Sequence, residues 1–175
     1  MRFLFFIMGV PLMIISLFEA VDAISYVSNA SIIFDGANIE LSEQEQIDLK
    51  EQIEMLFSKS HTMPSFGVAF DDMFGEIIQN GTFIRLKFDN VIKINDLPFD
   101  ELIFNVSDQN YGVDLIRRIG GVCQGRCVHV DFAGNNMSEL SEFVDIIVRD
   151  RNDNSDQTTD YSSLESDLSM EYAGK

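Results

Sequence analysis

The chain has 175 residues and a formal charge of −17, with 29 acidic side chains against 12 basic ones. Phosphate binding needs clustered Lys and Arg, so this balance argues against nucleic-acid binding and against attraction to anionic membranes. Its only basic cluster is Arg117-Arg118, with Arg126 nearby. Two Cys are too few for a disulfide framework, so the fold must be stabilised by a core of Phe, Ile, Leu and Val.

The N-terminus has the pattern of a cleavable signal peptide. Arg2 precedes an apolar run over 3–18, and small residues, Val21 and Ala23, stand before the cleavage site, which predicts removal of residues 1–23. An uncleaved membrane anchor is the alternative, but the run is shorter than the roughly 20 residues that a bilayer requires. We therefore expect a secreted protein, extracellular or periplasmic, with no membrane span after cleavage.

The predicted mature chain begins at Ile24, and β-branched and aromatic residues over 24–34 predict one strand or a bent pair of strands. A capping box follows, because the Ser42 hydroxyl can accept from a free helix amide while Glu45 reaches back. Apolar residues then recur at near-helical spacing, which predicts a helix over 43–59.

A second helix is predicted to begin at Pro64, since the first turn of a helix needs no amide hydrogen there. Asn80-Gly81 supplies its stop. Gly67 and Gly75 weaken the helix, so a strand over 65–70 is the alternative. The apolar stripe on which the helix depends has a spacing of four and comprises Phe66, Phe70, Phe74 and Ile78.

From Thr82 the apolar period changes to two, which predicts a strand over 82–88, a turn at Asp89-Asn90 and a second strand over 91–94. The remaining predicted elements are a strand over 102–107, a short helix over 111–119 closed by Gly120-Gly121, a strand over 128–132 and a helix over 139–148 that could end as a strand. The sequence thus predicts an α+β domain over 24–148, mainly an antiparallel sheet with two to four helices packed on one face.

Residues 149–175 are rich in Asp, Asn, Ser and Thr, and their apolar content is too low to offset the entropy of ordering. They are predicted to form a disordered acidic tail. The segment 150–156 offers oxygen ligands at alternate positions and resembles the calcium-binding Asp-x-Asn-Asp-Asn linker of cadherin repeats, although Ser155 replaces its Pro. The resemblance implies a calcium-dependent module, carried by Asp150, Asn152, Asp153 and Asn154.

Two kinds of covalent modification are predicted for an exported chain. Cys123 and Cys127 are expected to form one disulfide around Gly125, because a redox motif would need a shorter gap and a metal site with His129 would lack a fourth ligand. In a eukaryotic secretory pathway, four sequons predict surface sites of N-glycosylation at Asn29, Asn80, Asn105 and Asn136, whereas in a bacterial source the pattern would have no meaning.

No specific catalytic motif occurs in the sequence. Hydrolysis usually needs a histidine base, and only His61 and His129 are available. Neighbouring carboxylates such as Asp71-Asp72 and Glu76 are typical of a solvated helix face. The leading hypothesis is therefore a secreted, glycosylated, non-enzymatic binding protein of unknown protein or small ligand, without a cofactor or metal. One alternative is a small secreted hydrolase that uses His129 or His61 with nearby carboxylates. The other is a calcium-dependent module that uses the acidic segment 150–156.

Overall fold

The computed structural model describes residues 23–153. Within them, eight strands form a sheet in the order β2-β1-β4-β5-β6-β8-β3, with β7 paired to β6, and every pairing is antiparallel. The strands are β1 (Val27–Phe34), β2 (Ala37–Glu40), β3 (His61–Ala69), β4 (Thr82–Ile94), β5 (Leu97–Asn105), β6 (Gly112–Ile119), β7 (Val122–Cys123) and β8 (Gly125–Asp131). The helices are α1 (residues 23–25), α2 (Glu43–Phe57), α3 (Asp71–Ile77) and α4 (residues 138–153). The α+β class is confirmed.

Helix α2 begins at the predicted capping box. The Ser42 hydroxyl accepts from the Glu45 amide at 3.3 Å, and Glu45 Oε2 accepts from the Ser42 amide at 2.7 Å. These two bonds satisfy amide groups that the first turn of a helix leaves free. The helix then buries Leu49, Ile53 and Phe57 against the sheet.

The sheet is covered on both faces. Helices α1, α2 and α4 share one large core with β1, β4, β5, β6 and β8, in which the Phe57 ring lies 6.0 Å from Phe104 and 5.8 Å from Phe132. Helix α3 is the exception to the expected packing on one face, because its Phe74 belongs to a smaller cluster on the opposite face. That cluster also contains Ile33, Ala69, Phe83, Ile103, Ile116 and Cys127.

The segment predicted as a helix from Pro64 is divided between a strand and a helix. Pro64 lies inside β3, which overlaps the alternative strand predicted over 65–70 but begins earlier, and α3 begins only at Asp71. Among the strands of residues 23–153, β3 pairs only with β8, and an edge strand tolerates the missing proline amide. Strand β2, at the opposite edge of the sheet, has only four residues. Phe66, the first residue of the predicted apolar stripe, is fully exposed on the β3 edge instead of packing in a core. The spacing of four therefore did not mark a helix face.

The predicted helix over 111–119 is wrong, because this segment is strand β6. Val113 and Leu115 face the large core, while Ile116 faces the smaller cluster. A strand buried on both faces loses the alternation that identifies strands in a sequence. Gly120 and Gly121 form the turn into β7 rather than a helix end.

The turn predicted at Asp89-Asn90 also lies elsewhere. Strand β4 continues through these residues, where its pairing with β5 shifts register between Lys87 and Ile92. The hairpin turns at Asn95 and Asp96, whose φ angles are 50° and 62°. Two successive left-handed residues are typical of the tight turn that fits the twist of a hairpin.

The predicted last helix is confirmed as α4, which continues through residue 153. Residues 149–153 of the predicted tail therefore belong to this helix. Arg151 on α4 binds the Glu45 carboxylate at 2.7 Å and links α4 to the start of α2. The rest of the predicted tail, 154–175, and residues 1–22 of the predicted signal peptide lie outside the described residues. Ile24, the predicted mature start, is 2% exposed in the core. Among the helices of residues 23–153, none is both long and apolar enough to cross a membrane.

Candidate functional site

The strands β3, β6 and β8 bring three polar side chains together on the face opposite the large core. His129 on β8 lies in register with Asp114 on β6, and His129 Nδ1 is 2.8 Å from Asp114 Oδ1. Both side chains are partly exposed, at 33% and 44%. An ionised carboxylate only accepts, so Nδ1 carries the hydrogen in this bond. The other ring nitrogen, Nε2, then has a free lone pair whenever the ring is neutral.

Asp114 is itself held by the bulge of β3. The hydroxyl of Ser65 donates to Asp114 Oδ1 at 2.9 Å and accepts from the Gly67 amide at 2.8 Å. The pairing of β3 with β8 shifts register between Pro64 and Val68, which is where this Ser65–Gly67 turn lies. The bulge therefore aims Ser65 at the carboxylate that orients His129.

A glycine on β6 allows the imidazole to lie against the strand. A Cβ atom on Gly112 would be 2.9 Å from His129 Nε2 and 2.8 Å from the carbonyl oxygen of Val130. Real side chains do not approach that closely, so any larger residue at 112 would displace the ring or the backbone. The position of His129 depends on Gly112 as well as on Asp114.

These residues form one wall of an open pocket of about 400 Å³, which we call the His129 pocket. Apolar side chains such as Phe83 and Ile116 supply its floor, and Val68 lies at its margin. Ligand sites combine mainly apolar linings with a few placed polar groups. The polar groups available here are those of Asn105, Asn110, Asp114, Cys127 and His129.

The structure does not contain the predicted disulfide, because Cys123 and Cys127 are both free thiols. Cys127 points into the smaller cluster, where burial and the charge of Asp114 raise its pKa to about 11. Cys123 lies on β7, held by a bond from its amide to Asp71 Oδ1 at 2.9 Å. Burial and a hydrogen bond with Asp71 raise the pKa of the Cys123 thiol. Neither environment favours a thiolate.

The remaining candidates for acid–base chemistry are dispersed. His61 begins β3 opposite Asp131, whose carboxylate accepts from the Ala133 amide at 2.7 Å. Asp71 and Asp72 lie in the exposed first turn of α3. The carboxylate that meets a histidine is Asp114, which the sequence analysis did not identify because it assigned 111–119 to a helix.

The adjacent basic residues Arg117 and Arg118 make their contacts within the fold. Arg117 is 4% exposed and donates to three backbone carbonyls, those of Pro98, Gln124 and Arg126, at 2.7, 3.0 and 2.8 Å. Burial lowers the pKa of its guanidinium. Arg118 pairs with the buried carboxylate of Glu101 at 3.1 Å and lies 4.5 Å from the Phe74 ring centre. These contacts leave neither side chain presented to a polyanion.

The calcium-ligand pattern does not form a loop where it is described. Residues 150–153 continue helix α4, and residues 154–156 lie outside the described chain. A helix does not curve successive side chains around one ion as a binding loop does. Between residues 23 and 153 no group of three His, Cys, Asp or Glu is arranged to hold a metal.

The four sequons lie in different environments. Asn80 and Asn136 are exposed, whereas Asn29 and Asn105 are half-buried. Asn105 donates from Nδ2 to the carbonyl oxygen of Thr82 at 3.2 Å and lines the His129 pocket. The expected surface exposure therefore applies fully to two of the four.

Helix α4 begins beside a second concave surface, of about 530 Å³, between its first turn and the end of α2. We call it the Asn136 cleft, because Asn136 lies in its wall. The chain matches no protein-family model and has no significant match among curated proteins or solved structures.

Proposed function

We propose that the protein is a secreted binding protein that holds a small, mainly apolar ligand in the His129 pocket. The observation that carries the proposal is an apolar floor joined to a wall with an oriented imidazole. Phe83 and Ile116 offer apolar contact, while His129 Nε2 offers one acceptor whose direction Asp114 fixes. A ligand with an apolar body and one hydroxyl or amide donor fits both features.

The order of the hydrogen bonds favours binding over covalent catalysis. A nucleophilic triad needs the hydroxyl or thiol on the histidine, with the carboxylate behind it. Here the Ser65 hydroxyl bonds Asp114 instead of His129, and the raised pKa of Cys127 keeps its thiol protonated near neutral pH. The site thus has an oriented imidazole but no activated nucleophile beside it.

A hydrolase is the second candidate, favoured by the 2.8 Å bond between His129 and Asp114. In that mechanism His129 Nε2 would remove a proton from a water molecule. Hydrolysis of a panel of nitrophenyl esters by the mature chain, with His129→Gln about 100-fold slower, would support it. Equal rates for the two chains, or no hydrolysis at all, would exclude it for these esters.

The export proposal is tested by the mass of the chain recovered from a secretory host. A start at Ile24 supports cleavage of residues 1–23, and retention of those residues contradicts it. This measurement does not depend on any ligand.

The binding proposal is tested with Nile red, a neutral dye whose fluorescence rises in apolar sites. We expect the mature chain to enhance its emission and Val68→Trp, which places an indole at the pocket margin, to weaken binding about tenfold. Val122→Trp is the matched control, because Val68 and Val122 are 53% and 52% exposed and only Val68 lines the pocket. Equal dye binding by both variants would place the dye elsewhere and refute the proposal.

A further inference from the structure

We propose that the Asn136 sequon is glycosylated and that the first sugars on its side chain occupy the Asn136 cleft against Tyr111. This inference rests on the secretory part of the proposed function, since N-linked sugars are added only to exported chains. It concerns a different surface from the His129 pocket and a different kind of occupant.

The geometry of Asn136 suits an attached sugar. Its Oδ1 accepts from the Ser138 hydroxyl at 2.8 Å and from the Ser138 amide at 3.3 Å. These two bonds fix the side chain through its oxygen and leave Nδ2, the atom to which a sugar is joined, without an acceptor among the described residues. The side chain is exposed in the wall of the cleft. A sugar on Nδ2 therefore breaks no bond of the fold.

The loop that carries Asn136 is firmly attached. Met137 is fully buried, and its amide donates to the carbonyl oxygen of Asn110 at 3.2 Å. Asn135 is anchored through both of its nitrogens, which donate to the carbonyl oxygen of Phe132 at 3.0 and 2.8 Å. A rigid attachment point lowers the entropy that a sugar loses when it packs on the protein.

The lining of the cleft has the chemistry that a sugar ring requires. Tyr111 is 60% exposed and offers an aromatic face to the C–H groups of a pyranose, and its backbone is held by a bond from the Phe132 amide at 2.9 Å. Gln52 and Lys59 supply side chains that can donate hydrogen bonds to hydroxyl and acetamide oxygens. A purely apolar ligand would leave these groups unpaired.

The other sequons provide contrasts within the same chain. Asn105 uses Nδ2 to bind the Thr82 carbonyl at 3.2 Å and is half-buried, so a sugar there would cost that bond. Asn80 is exposed in the turn after α3 and lines neither concavity. We therefore expect a sugar at Asn80 to be tolerated without stabilising the fold, which makes it the control for Asn136.

The first measurement is site occupancy in the full chain secreted from eukaryotic cells, by peptide mass spectrometry. We expect sugar at Asn136 and Asn80 and none at Asn105 in the folded protein. A bare Asn136 beside a modified Asn80 overturns this inference alone. A chain with no sugar at any site that also retains residues 1–23 overturns the secretory proposal with it.

The second measurement is thermal melting of Asn80→Gln and Asn136→Gln, each before and after complete enzymatic removal of the sugar. We expect deglycosylation to lower the Tm of Asn80→Gln, which keeps the Asn136 sugar, by about 2–4 °C. The Tm of Asn136→Gln should not change on deglycosylation. The enzyme converts Asn80 to Asp in this variant, just as it converts Asn136 to Asp in Asn80→Gln, so the two variants differ only in which sugar they lose. Adding Tyr111→Ala to Asn80→Gln should abolish the shift. A shift that persists without Tyr111, or no shift with it, contradicts the placement of the sugar.

Discussion

Replacing Arg117 with lysine should destabilise the fold strongly, although the charge is conserved. The guanidinium of Arg117 reaches three carbonyls in different directions, on β5, on β8 and in the link between β7 and β8. A lysine ammonium in the same place is a single nitrogen at the end of a flexible stem, so it can satisfy one of the three. Two hydrogen bonds to a charged donor are lost, at about 1.5–3 kcal/mol each.

The expected loss for Arg117→Lys is therefore about 3–6 kcal/mol, a large part of the roughly 5–15 kcal/mol by which domains are stable. Urea unfolding of the mature chain, followed by circular dichroism, measures it. Arg126→Lys is the matched control, because Arg126 is exposed and its Nε makes one bond, to the Ser65 carbonyl at 3.2 Å. We expect about 0.5 kcal/mol for the control. A loss below about 1 kcal/mol for Arg117→Lys would refute the account of this side chain.

Two further predictions concern the His129 pocket. Gly112→Ala should lower the free energy of unfolding by about 1–3 kcal/mol and weaken Nile red binding, because its Cβ would lie under 3 Å from His129 Nε2 and from a strand carbonyl. Gly75→Ala is the control, since the space around Gly75 in α3 is open. In the same urea and dye titrations it should be neutral or stabilising. A Gly112→Ala chain that matches the wild type would contradict the close approach. Cys127 should resist alkylation near neutral pH, since a pKa of about 11 instead of 9.0 leaves about 100-fold less thiolate. Because folding raises this pKa, the folded state keeps its thiol proton while the unfolded chain ionises, so the free energy of unfolding should fall as the pH rises from 9 to 11. Melting temperatures measured over this pH range check the expectation. If Cys127→Ala leaves the fall of Tm with pH equally steep, another group causes it.

The sequence predicted elements that carry a local physical signal. Ser42 and Glu45 mark the start of α2 because the capping bonds form between residues three apart. The strand after Thr82 was recognised from its apolar period of two, because Ile84, Leu86 and Phe88 all face the large core. The fold class followed from these elements together.

The prediction failed at strand β6, which packs against the large core on one face and the smaller cluster on the other. Strand β6 has apolar residues on both faces, and buried Arg117 adds a charge at a core position, so its pattern resembled a helix closed by two glycines. Because 111–119 was assigned to a helix, the His129 pocket was not predicted. Asp114 on a helix has no reason to meet His129, whereas on β6 it lies directly opposite. A pair formed across strands depends on register, which no local pattern reports.

The two cysteines stand as free thiols in the structure, in contrast to the predicted disulfide. Spacing and the predicted compartment favoured a bridge between Cys123 and Cys127. In the structure Cys123 lies on β7, which pairs with the end of β6, and Cys127 lies on β8, which pairs with β6 and β3. Gly125 turns the chain between them with a φ of 71°. Sequence spacing indicates that two thiols are near each other along the chain, but it does not give the direction of their side chains.

The place of β3 at the edge of the sheet has a consequence for the order in which the protein can be assembled. Strand β3 is made early, yet the strand beside it, β8, is the last one in the described chain. The bond between Ser65 and Arg126 joins residues 61 apart, so a ribosome must release nearly the whole domain before β3 has a partner. Until β8 is released, the edge of β3 that carries Phe66 has no neighbouring strand. The contact between His129 and Asp114 cannot form before then either. Closing such a long loop is slow, so the final pairing of β3 with β8 is the step during which the unpaired edge stays open to association with other chains.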